Sequence, residues 1–451
     1  GVILALFETD IVNGFIALRG MFALIIFDLQ DKILYLGRDS FGMKPLYYSN
    51  SNESGLSISS SAKALGNYFD LKVSEEAREL FSGFGFIPEP FCWFEGLNQV
   101  PAGHLISFSK PNTKPKIIVT DTVWDWLEEG VKPEGDLQKI ISDSVFRHLD
   151  SEFPPVLFQS GGKDSNFIAF CAQQIRKPFA LGLTLSFSNP EKIFVADESE
   201  RAKLVANSLG LVNETVPVSP DMFRNSWLSV IESMDQPSHD GLNIYFISEA
   251  CKAKNFRLAI SGIGADELFS TYGTMGRMFK MKILGLFTSL SYTSFIFNFL
   301  KKFYPKLNDS SLFSSFVGRY LVSRSLNSLT ATGQSSESNS VDQLLKYYEG
   351  KLQNLNVSHR LALIALETDF YMKNQLLRDA DWASMANSVE VRMPFVDKEV
   401  FKYVINNQDC TITKSKDFMV KVFRQDIRKI LNAPKLGFSV PFGFWLDTNL
   451  G

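Results

Sequence analysis

Residues 155–170 read PVLFQSGGKDSNFIAF, and this stretch decides how the middle of the chain folds. The apolar run at 156–158 has the composition of a buried β-strand, and a helical pattern follows the two glycines. Gly161 and Gly162 permit backbone conformations and close approaches that other residues resist. Successive N–H groups of such a loop, with the N-terminus of the next helix, bind an anion. We therefore predict a phosphate loop at residues 160–165.

The polar side chains of this loop suit a phosphate site. Ser160 and Ser165 add hydroxyl donors. Asp164 would repel phosphate directly, so we predict that its carboxylate holds Mg²⁺ or braces the loop. The G-x-x-x-x-G-K-[ST] spacing of the Walker A loop is absent. The alternative is a strand-to-helix turn that binds no ligand, but a bare turn does not need the serines and the aspartate around the glycines.

A second segment of small residues follows the apolar run at 258–260. It reads Ser261-Gly262-Ile263-Gly264-Ala265-Asp266-Glu267. Its glycines again permit close backbone approach. The adjacent carboxylates of Asp266 and Glu267 are suitable Mg²⁺ ligands beside a phosphate loop. The alternative is a helix N-terminus with acidic residues in its first turn, which stabilise any helix.

The pattern around these loops predicts a parallel sheet. Apolar runs at 154–158, 179–187 and 257–261 alternate with helical stretches, such as one from Asn166 and one at 198–209, which is typical of βαβ units. Beyond about residue 274 the chain reads mostly as helix. Before it, runs at 22–27, 33–39, 45–49 and 56–61 predict an antiparallel meander. We predict an α+β domain followed by a larger α/β domain with a helical extension.

Composition narrows the possible functions. Hydrophobic residues make up 45% and charged residues 21% of the 451 residues, as in a soluble globular protein. The net charge of −3 argues against a general nucleic-acid binder. The four cysteines are widely spaced, which disfavours a zinc site or a disulfide framework and favours free thiols in a reducing cytoplasm.

Two stretches of the helical region stand out. Residues 283–300 (ILGLFTSLSYTSFIFNFL) carry no charge. An uncharged run of this length raises the question of a membrane span. Polar residues interrupt the run, so we favour an ordinary helical subdomain over a surface or partner-binding helix, and consider a membrane span the weakest of the three. Residues 328–341 are polar and Ser-rich and predict a loop.

Several further motifs, read in chain order, resemble those of the glutamine-hydrolysing asparagine synthetases, which belong to the ATP pyrophosphatase (PP-loop) superfamily. The S-G-G-x-D-S segment at 160–165 resembles the pyrophosphate loop, and S-G-x-G-[AGS]-D-E-L-F at 261–269 resembles the second signature. The other matching segments are Asp235-Gln236-Pro237, residues 378–397 (RDADWASMANSVEVRMPFVD) and Pro434–Pro441 (PKLGFSVP).

The resemblance implies a set of site residues. The ATP-binding set is Phe158, Ser160, Gly161, Gly162, Asp164, Ser165, Ser261 and Gly262. The resemblance assigns Lys435, Asp266 and Glu267 to catalysis, and Asp164 and Asp266 to Mg²⁺. It implies that a carboxylate, aspartate first, is activated as an acyl-adenylate with release of pyrophosphate and is then amidated by ammonia derived from glutamine. The expected partners are these small molecules, without nucleic acid, and a homodimer is compatible with the resemblance.

One residue departs from the family. Many relatives have Glu or Asp where Ile263 stands, and that carboxylate takes up a proton during amide formation; an isoleucine cannot do so. The alternatives are therefore relatives that adenylate another carboxylate, as in β-lactam synthesis, peptide cyclisation or sugar amidation. A non-catalytic nucleotide-binding homologue is a further alternative.

The N-terminal region resembles the later part of an N-terminal nucleophile glutaminase domain. The matching segments are residues 19–23 (RGMFA), 36–48 (LGRDSFGMKPLYY), 85–90 (GFIPEP) and 100–104 (VPAGH). The nucleophile of that class is an N-terminal cysteine, whereas the first cysteine here is Cys92. We expect residues 1–125 to be a truncated glutaminase domain without glutaminase activity, residues 134–451 to be the PP-loop synthetase domain, and both natural ends of the protein to be missing.

Overall fold

The structure is a computed structural model, which describes residues 2–51, 55–130, 134–187, 198–288, 305–329, 340–353, 355–407 and 416–433. Lys435, its surrounding segment and most of the stretches 283–300 and 328–341 lie outside these residues. The chain forms two compact units. The first unit comprises Gly1–Val131, Asp235–His239 and Asp266–Arg378, and the second comprises Lys132–Met234, Asp240–Ala265 and Asp379–Gly451.

The N-terminal part of the first unit is a layered α+β structure. Its elements are α1 (Val2–Thr9), α2 (Ile11–Ala17), β1 (Ala23–Phe27), β2 (Leu34–Arg38), β3 (Tyr47–Ser51), β4 (Gly55–Ser59), α3 (Ala62–Tyr68), α4 (Glu75–Phe84), β5 (Leu97–Gln99), β6 (His104–Phe108), β7 (Lys116–Thr120) and α5 (Val123–Glu129). The strands form two antiparallel sheets, in the orders β1-β2-β6-β7 and β4-β3-β5.

The antiparallel pairing is confirmed. The prediction of a simple meander, in which each strand pairs with the next one in sequence, is wrong. Strand β2 pairs with β6 instead of β3. The reason lies in the core, where Leu36 of β2 packs with Ile106 and Phe108 of β6 and with Tyr48 of the other sheet. Local sequence spacing contains no information about this long-range pairing.

The second unit is built on a parallel sheet. Its elements up to the second loop are α6 (Leu137–His148), β8 (Pro155–Phe158), α7 (Lys163–Gln174), β9 (Leu181–Phe187), α8 (Ser199–Ser208), β10 (Asn213–Val218), α9 (Pro220–Ser233), α10 (Leu242–Ala253) and β11 (Leu258–Ile260). Strands β8, β9 and β11 are buried almost throughout, as expected for a parallel sheet covered on both faces. The three predicted strands are confirmed, whereas α7 begins three residues before the predicted Asn166, because the helix starts directly at the glycine loop.

The rest of the described chain is mostly helical. Its elements are α11 (Ala265–Phe269), α12 (Thr274–Thr288), a 3₁₀ segment (Pro305–Ser314), α13 (Phe316–Arg324), α14 (Ser340–Gln353), α15 (His359–Leu366), a π-helix (Glu367–Leu377), α16 (Arg378–Met385), β12 (Glu390–Arg392), α17 (Lys398–Asn406), α18 (Asp417–Lys421) and α19 (Gln425–Asn432). Among the described residues, we find no helix whose length and hydropathy would allow it to cross a membrane.

Strand β12 completes a five-stranded parallel sheet in the order β10-β9-β8-β11-β12. Starting from β8, the chain first builds the sheet outward through β9 and β10, and then adds β11 and β12 on the other side of β8. The order therefore reverses between β8 and β11, which is the position where open α/β sheets bind their ligands.

Candidate active site

Two glycine-containing loops lie side by side at one edge of the parallel sheet. Strand β8 leads into Ser160–Ser165 and its parallel neighbour β11 leads into Ser261–Gly264. A Cβ atom added to Gly262 would lie 3.0 Å from Cβ of Asp164, so the second loop contacts the first directly. We call these two loops the loop pair. It brings together Phe158 at the end of β8 and the seven other predicted ATP-binding residues.

The first loop is held from inside by Asn166. This fully buried side chain donates from its amide to the carbonyl oxygens of Ser160 at 2.9 Å and Gly162 at 2.6 Å. Its own carbonyl oxygen accepts from Nε2 of Gln159 at 2.8 Å. Gly162 is the N-cap of α7 and provides no side-chain hydrogen bond, so no N-cap side chain occupies the first N–H groups of this helix. These contacts fix a loop suited to an anion.

The serine hydroxyls of the first loop lie close together. The backbone N–H of Ser160 donates to Oγ of Ser165 at 3.1 Å, and the two hydroxyl oxygens are 3.3 Å apart. The N–H of Gly162 donates to Oγ of Ser160 at 3.2 Å. Both hydroxyls therefore belong to the loop itself, where a bound phosphate oxygen would meet them.

Gly161 lies where a side chain would not fit easily. A Cβ atom there would lie 3.0 Å from Cβ of Glu198 and 3.1 Å from Cβ of Arg201. Both residues are at the start of α8. The first loop thus packs closely against a second helix start, and a side chain at this position would have to displace Glu198 or Arg201 slightly.

Lys416 is a site residue that the sequence reasoning missed. Its ammonium group lies 2.7 Å from the carboxylate of Asp164, and its side chain is 7% exposed. The ion pair places a buried positive charge next to the first loop. Nothing in the residues around Lys416 distinguishes it from the other 45 Lys and Arg residues, because its partner lies 252 residues earlier in the chain.

The predicted carboxylates Asp266 and Glu267 belong to the first unit. The hydroxyl of Thr271 donates to Asp266, and the phenolic hydroxyl of Tyr272 donates to Glu267. Glu267 is only 1% exposed, and this burial, reinforced by the neighbouring charge of Asp266, raises the pKa of its carboxyl group to about 7. Glu267 is therefore poised to exchange a proton near neutral pH.

The side chains around Glu267 form an aromatic and ionic cluster. The guanidinium of Arg324 lies 4.5 Å from the ring centroid of Tyr272 and 3.8 Å from that of Tyr371. It also pairs with Glu367 at 2.5 Å. The ionic contact compensates for the burial of Arg324, and the two rings hold its plane in place.

The chemistry of these residues fits a magnesium ion that is shared with a nucleotide. The described part of the chain contains no group of three or more His, Cys, Asp or Glu side chains that could hold a metal alone. Mg²⁺ in nucleotide sites is bound by one or two carboxylates, and phosphates and water supply the remaining ligands. Asp164, which is part of the first loop, provides a donor of this type.

Comparison with known proteins gives a consistent result. Residues 136–450 match the asparagine synthase family, and residues 1–118 match the glutamine amidotransferase domain family. The chain is 29% identical to glutamine-hydrolysing asparagine synthetase 1 of Bacillus subtilis (strain 168), over 96% of this chain and 70% of that protein. It is 26% identical to asparagine synthetase B of Escherichia coli (strain K12), over 60% of this chain and 46% of that protein.

A fungal relative has a different name. The chain is 24% identical to the amidase chyE of Penicillium rubens, over 98% of this chain and 73% of that protein. Proteins with different names therefore align over most of this chain. Because the asparagine synthase family matches more than two thirds of the chain, the protein belongs to this family and is a ligase that forms a carbon–nitrogen bond.

Proposed function

We propose that this protein uses ATP to activate a carboxylate as an acyl-adenylate, and that ammonia then converts the acyl-adenylate into an amide. Aspartate is the acceptor that family membership favours. The observation that carries the proposal is the loop pair at the point where the strand order of the parallel sheet reverses. Two loops of small residues meet there, next to a helix N-terminus and a buried lysine.

In the first step, a carboxylate oxygen of the acceptor attacks the α-phosphorus of ATP. A bond forms between this oxygen and the α-phosphorus. The bond from the α-phosphorus to the oxygen that bridges the α- and β-phosphates breaks, and pyrophosphate leaves with its electron pair. The N–H groups of the first loop and the start of α7 would bind the phosphates. Ser160 and Ser165 add hydroxyl donors. The role of these groups is to hold charge in a fixed geometry while it moves onto pyrophosphate.

Two lysines would stabilise this charge. Lys435 is the residue that the family motif assigns to catalysis. Lys416 is already paired with Asp164 beside the first loop. Asp164 and Asp266 would hold Mg²⁺, which when bound with ATP neutralises charge on the phosphates. Binding of a nucleotide would then give Lys416 a second anionic partner in addition to Asp164.

In the second step, the nitrogen of ammonia attacks the acyl carbon, AMP leaves with the electron pair of the carbon–oxygen bond, and the nitrogen passes a proton to solvent water. A nearby base normally takes up such a proton. Ile263 provides none.

A second candidate keeps the adenylation and changes the acceptor. Ile263 lies half-buried in the second loop and places an apolar side chain where the resemblance to the family implies a carboxylate. The relative named as an amidase shows that the name asparagine synthetase is not shared by all proteins similar to this one. A larger or less polar carboxylate, such as that of a peptide, a sugar or a natural product, is the alternative acceptor.

The test is pyrophosphate release from ATP in the presence of ammonium and Mg²⁺, with aspartate and a panel of other carboxylates. We expect release with aspartate, accompanied by AMP and asparagine. Release only with another carboxylate would favour the second candidate. ATP binding without release for any acceptor would contradict the proposal and leave a nucleotide-binding homologue.

The role of Lys416 has its own test. Lys416→Met should reduce the rate of pyrophosphate release by at least tenfold, because it removes the buried charge beside the loop. Lys421→Met removes a lysine whose side chain is exposed in the same segment and serves as the matched control. Equal activity of the two variants would exclude Lys416 from the site.

A further inference from the structure

Helix α12 has an exposed apolar stripe. Met275, Phe279 and Ile283 are 36%, 62% and 42% exposed. They are spaced four residues apart, so they lie along one side of the helix. On another side, Thr274 and Met278 are each 2% exposed. The helix therefore packs through one face against its own unit and presents an apolar face to solvent.

Basic residues lie on both sides of this stripe. With about 100° between successive residues, Lys282 lies about 20° before Met275 and Lys280 about 60° beyond Ile283 around the helix axis. Both lysines are exposed. No Asp or Glu occurs within the sequence of α12. An apolar stripe between lysines is the pattern of a helix that lies in a membrane interface.

The sequence around α12 has an unusual charge. Residues 268–308 contain six Lys and Arg residues and no Asp or Glu, although the chain contains 49 acidic residues and has a net charge of −3. Within α12 itself all three charged residues, Arg277, Lys280 and Lys282, are basic. Anionic lipid headgroups attract such a segment, and the apolar side chains then insert at the boundary of the acyl chains.

We propose that α12 binds the surface of an anionic lipid bilayer, with the stripe inserted below the headgroups and Lys280 and Lys282 among the phosphates. A second copy of the chain fits this face less well, because two stripes in contact would bring the lysines of both copies to the same interface. One short helix gives reversible binding and does not anchor the protein permanently.

The test is flotation of the full chain with vesicles. We expect it to float with vesicles of equal parts phosphatidylglycerol and phosphatidylcholine, at least tenfold more than with pure phosphatidylcholine. High salt should reduce this binding, because it screens the lysine–phosphate attraction. No flotation, or equal flotation with both vesicles, would overturn the proposal.

Variants show whether α12 is responsible. Phe279→Ser with Ile283→Ser, and separately Lys280→Glu with Lys282→Glu, should each reduce flotation at least tenfold. Leu228→Ser removes a 72% exposed leucine from α9 and is the matched control. Thermal unfolding verifies that each variant is folded. Unchanged flotation of both double variants would assign the binding to another surface. A concentration-dependent dimer in sedimentation velocity that Phe279→Ser abolishes would assign the stripe to a second copy.

Discussion

The carboxamide of Asn166 supports the first loop from within the protein, and single residues such as this one determine the geometry of the loop. Asn166→Asp preserves the size of the side chain but directs a carboxylate oxygen at two backbone carbonyl oxygens. We expect a loss of stability on the order of 2–3 kcal/mol and at least tenfold weaker ATP binding. Urea unfolding and calorimetric titration with ATP measure the two effects.

The matched control is on the same helix. Gln173 donates to the carbonyl oxygen of Leu209 at 3.1 Å, at an exposed position near the C-terminal end of α7. Gln173→Glu introduces the same chemical change there and should leave ATP binding unaltered. Weaker ATP binding by both variants would mean that charge on α7, and not the loop contact, causes the effect.

Gly264, in the second loop, combines two constraints. Its φ angle is +96°, and a Cβ atom would lie 2.6 Å from Cγ2 of Val396. We expect Gly264→Ala to cost about 3 kcal/mol, from backbone strain and from overpacking. Gly273 also has a positive φ, of +67°, but nothing lies within 4 Å of a Cβ there. Gly273→Ala should therefore cost only about 1 kcal/mol, and equal costs in urea unfolding would contradict this account.

Glu267 gives the stability of the protein a specific dependence on pH. Burial raises the pKa of its carboxyl group from the ordinary value of 4.5 to about 7. Between these values the unfolded chain releases the proton and the folded chain retains it, so stability falls as pH rises. The loss is on the order of 3 kcal/mol and is complete above about pH 7.

Glu267→Gln should remove the part of the pH dependence of stability that comes from this carboxyl group. Urea unfolding of the wild type and the variant between pH 5 and pH 8, without nucleotide or Mg²⁺, isolates it as the difference between the two curves. Glu200→Gln, at a side chain that is 84% exposed, is the control. Parallel curves for wild type and Glu267→Gln would show that this carboxyl group does not retain its proton in the folded state.

The sequence predicted the loops of the candidate site better than their supports. Ser160–Ser165 and Ser261–Gly264 are recognisable because phosphate loops need small residues and hydroxyls after a strand. Asn166 and Lys416 carry no such pattern. Their importance comes from partners that only the folded structure brings within hydrogen-bonding distance.

At the scale of elements, strands β8, β9 and β11 have a recognisable local sequence pattern, whereas β12 depends on a partner that is distant in the chain. The first three are apolar runs between helices and were predicted. Strand β12 has three residues and a polar residue at each end, and it pairs with β11 through Leu258↔Glu390, Ala259↔Val391 and Ile260↔Arg392. Such a short segment becomes a strand because the edge of β11 is available to it, and local propensity alone would not produce it.

The π-helix carries a buried ionic network in the first unit. Lys373 pairs with Asp369 at 2.7 Å and with Glu89 at 3.0 Å, and Glu89 also pairs with Arg38 at 2.8 Å. Removing one partner leaves uncompensated charge in the interior. We expect Lys373→Met to destabilise the protein by about 3 kcal/mol, as measured by urea unfolding.

Lys346, on α14, provides the control because its side chain is exposed. Lys346→Met should change stability by less than about 0.5 kcal/mol. The double variant Lys373→Met/Asp369→Asn should be less destabilised than Lys373→Met alone, because the second change removes one of the two anions left behind and keeps an oxygen that can accept from Trp124. If the double variant is as unstable as the single one, packing and not charge makes Lys373 important.

At the scale of the whole molecule, compact units and sequence domains differ. The sequence places a boundary between residues 125 and 134, which remains a prediction, whereas the first unit also contains residues 266–378. Within that unit, Phe370 lies 5.0 Å from Phe84 and 5.3 Å from Phe86 between ring centroids, and Asp369 accepts from Trp124 at 3.0 Å. The helical region thus completes its core with side chains from the N-terminal region.

A fragment of residues 134–451 should therefore expose apolar surface. We expect it to bind a hydrophobic dye strongly and to unfold at a lower urea concentration than the full chain, because Phe370 loses its aromatic partners. The full chain under the same conditions is the reference. A fragment that unfolds as cooperatively as the full chain, without dye binding, would show that residues 134–451 fold independently.

The pairing of β11 with β12 has a consequence for synthesis on the ribosome. The N–H of Ser261 donates to the carbonyl oxygen of Arg392 at 2.9 Å, so the second loop is held partly by residues made much later. At about 5–20 residues per second, β12 emerges on the order of ten seconds after β11. During that interval a nascent chain has an incomplete second loop and exposes one edge of β11, which is a surface for a chaperone to shield.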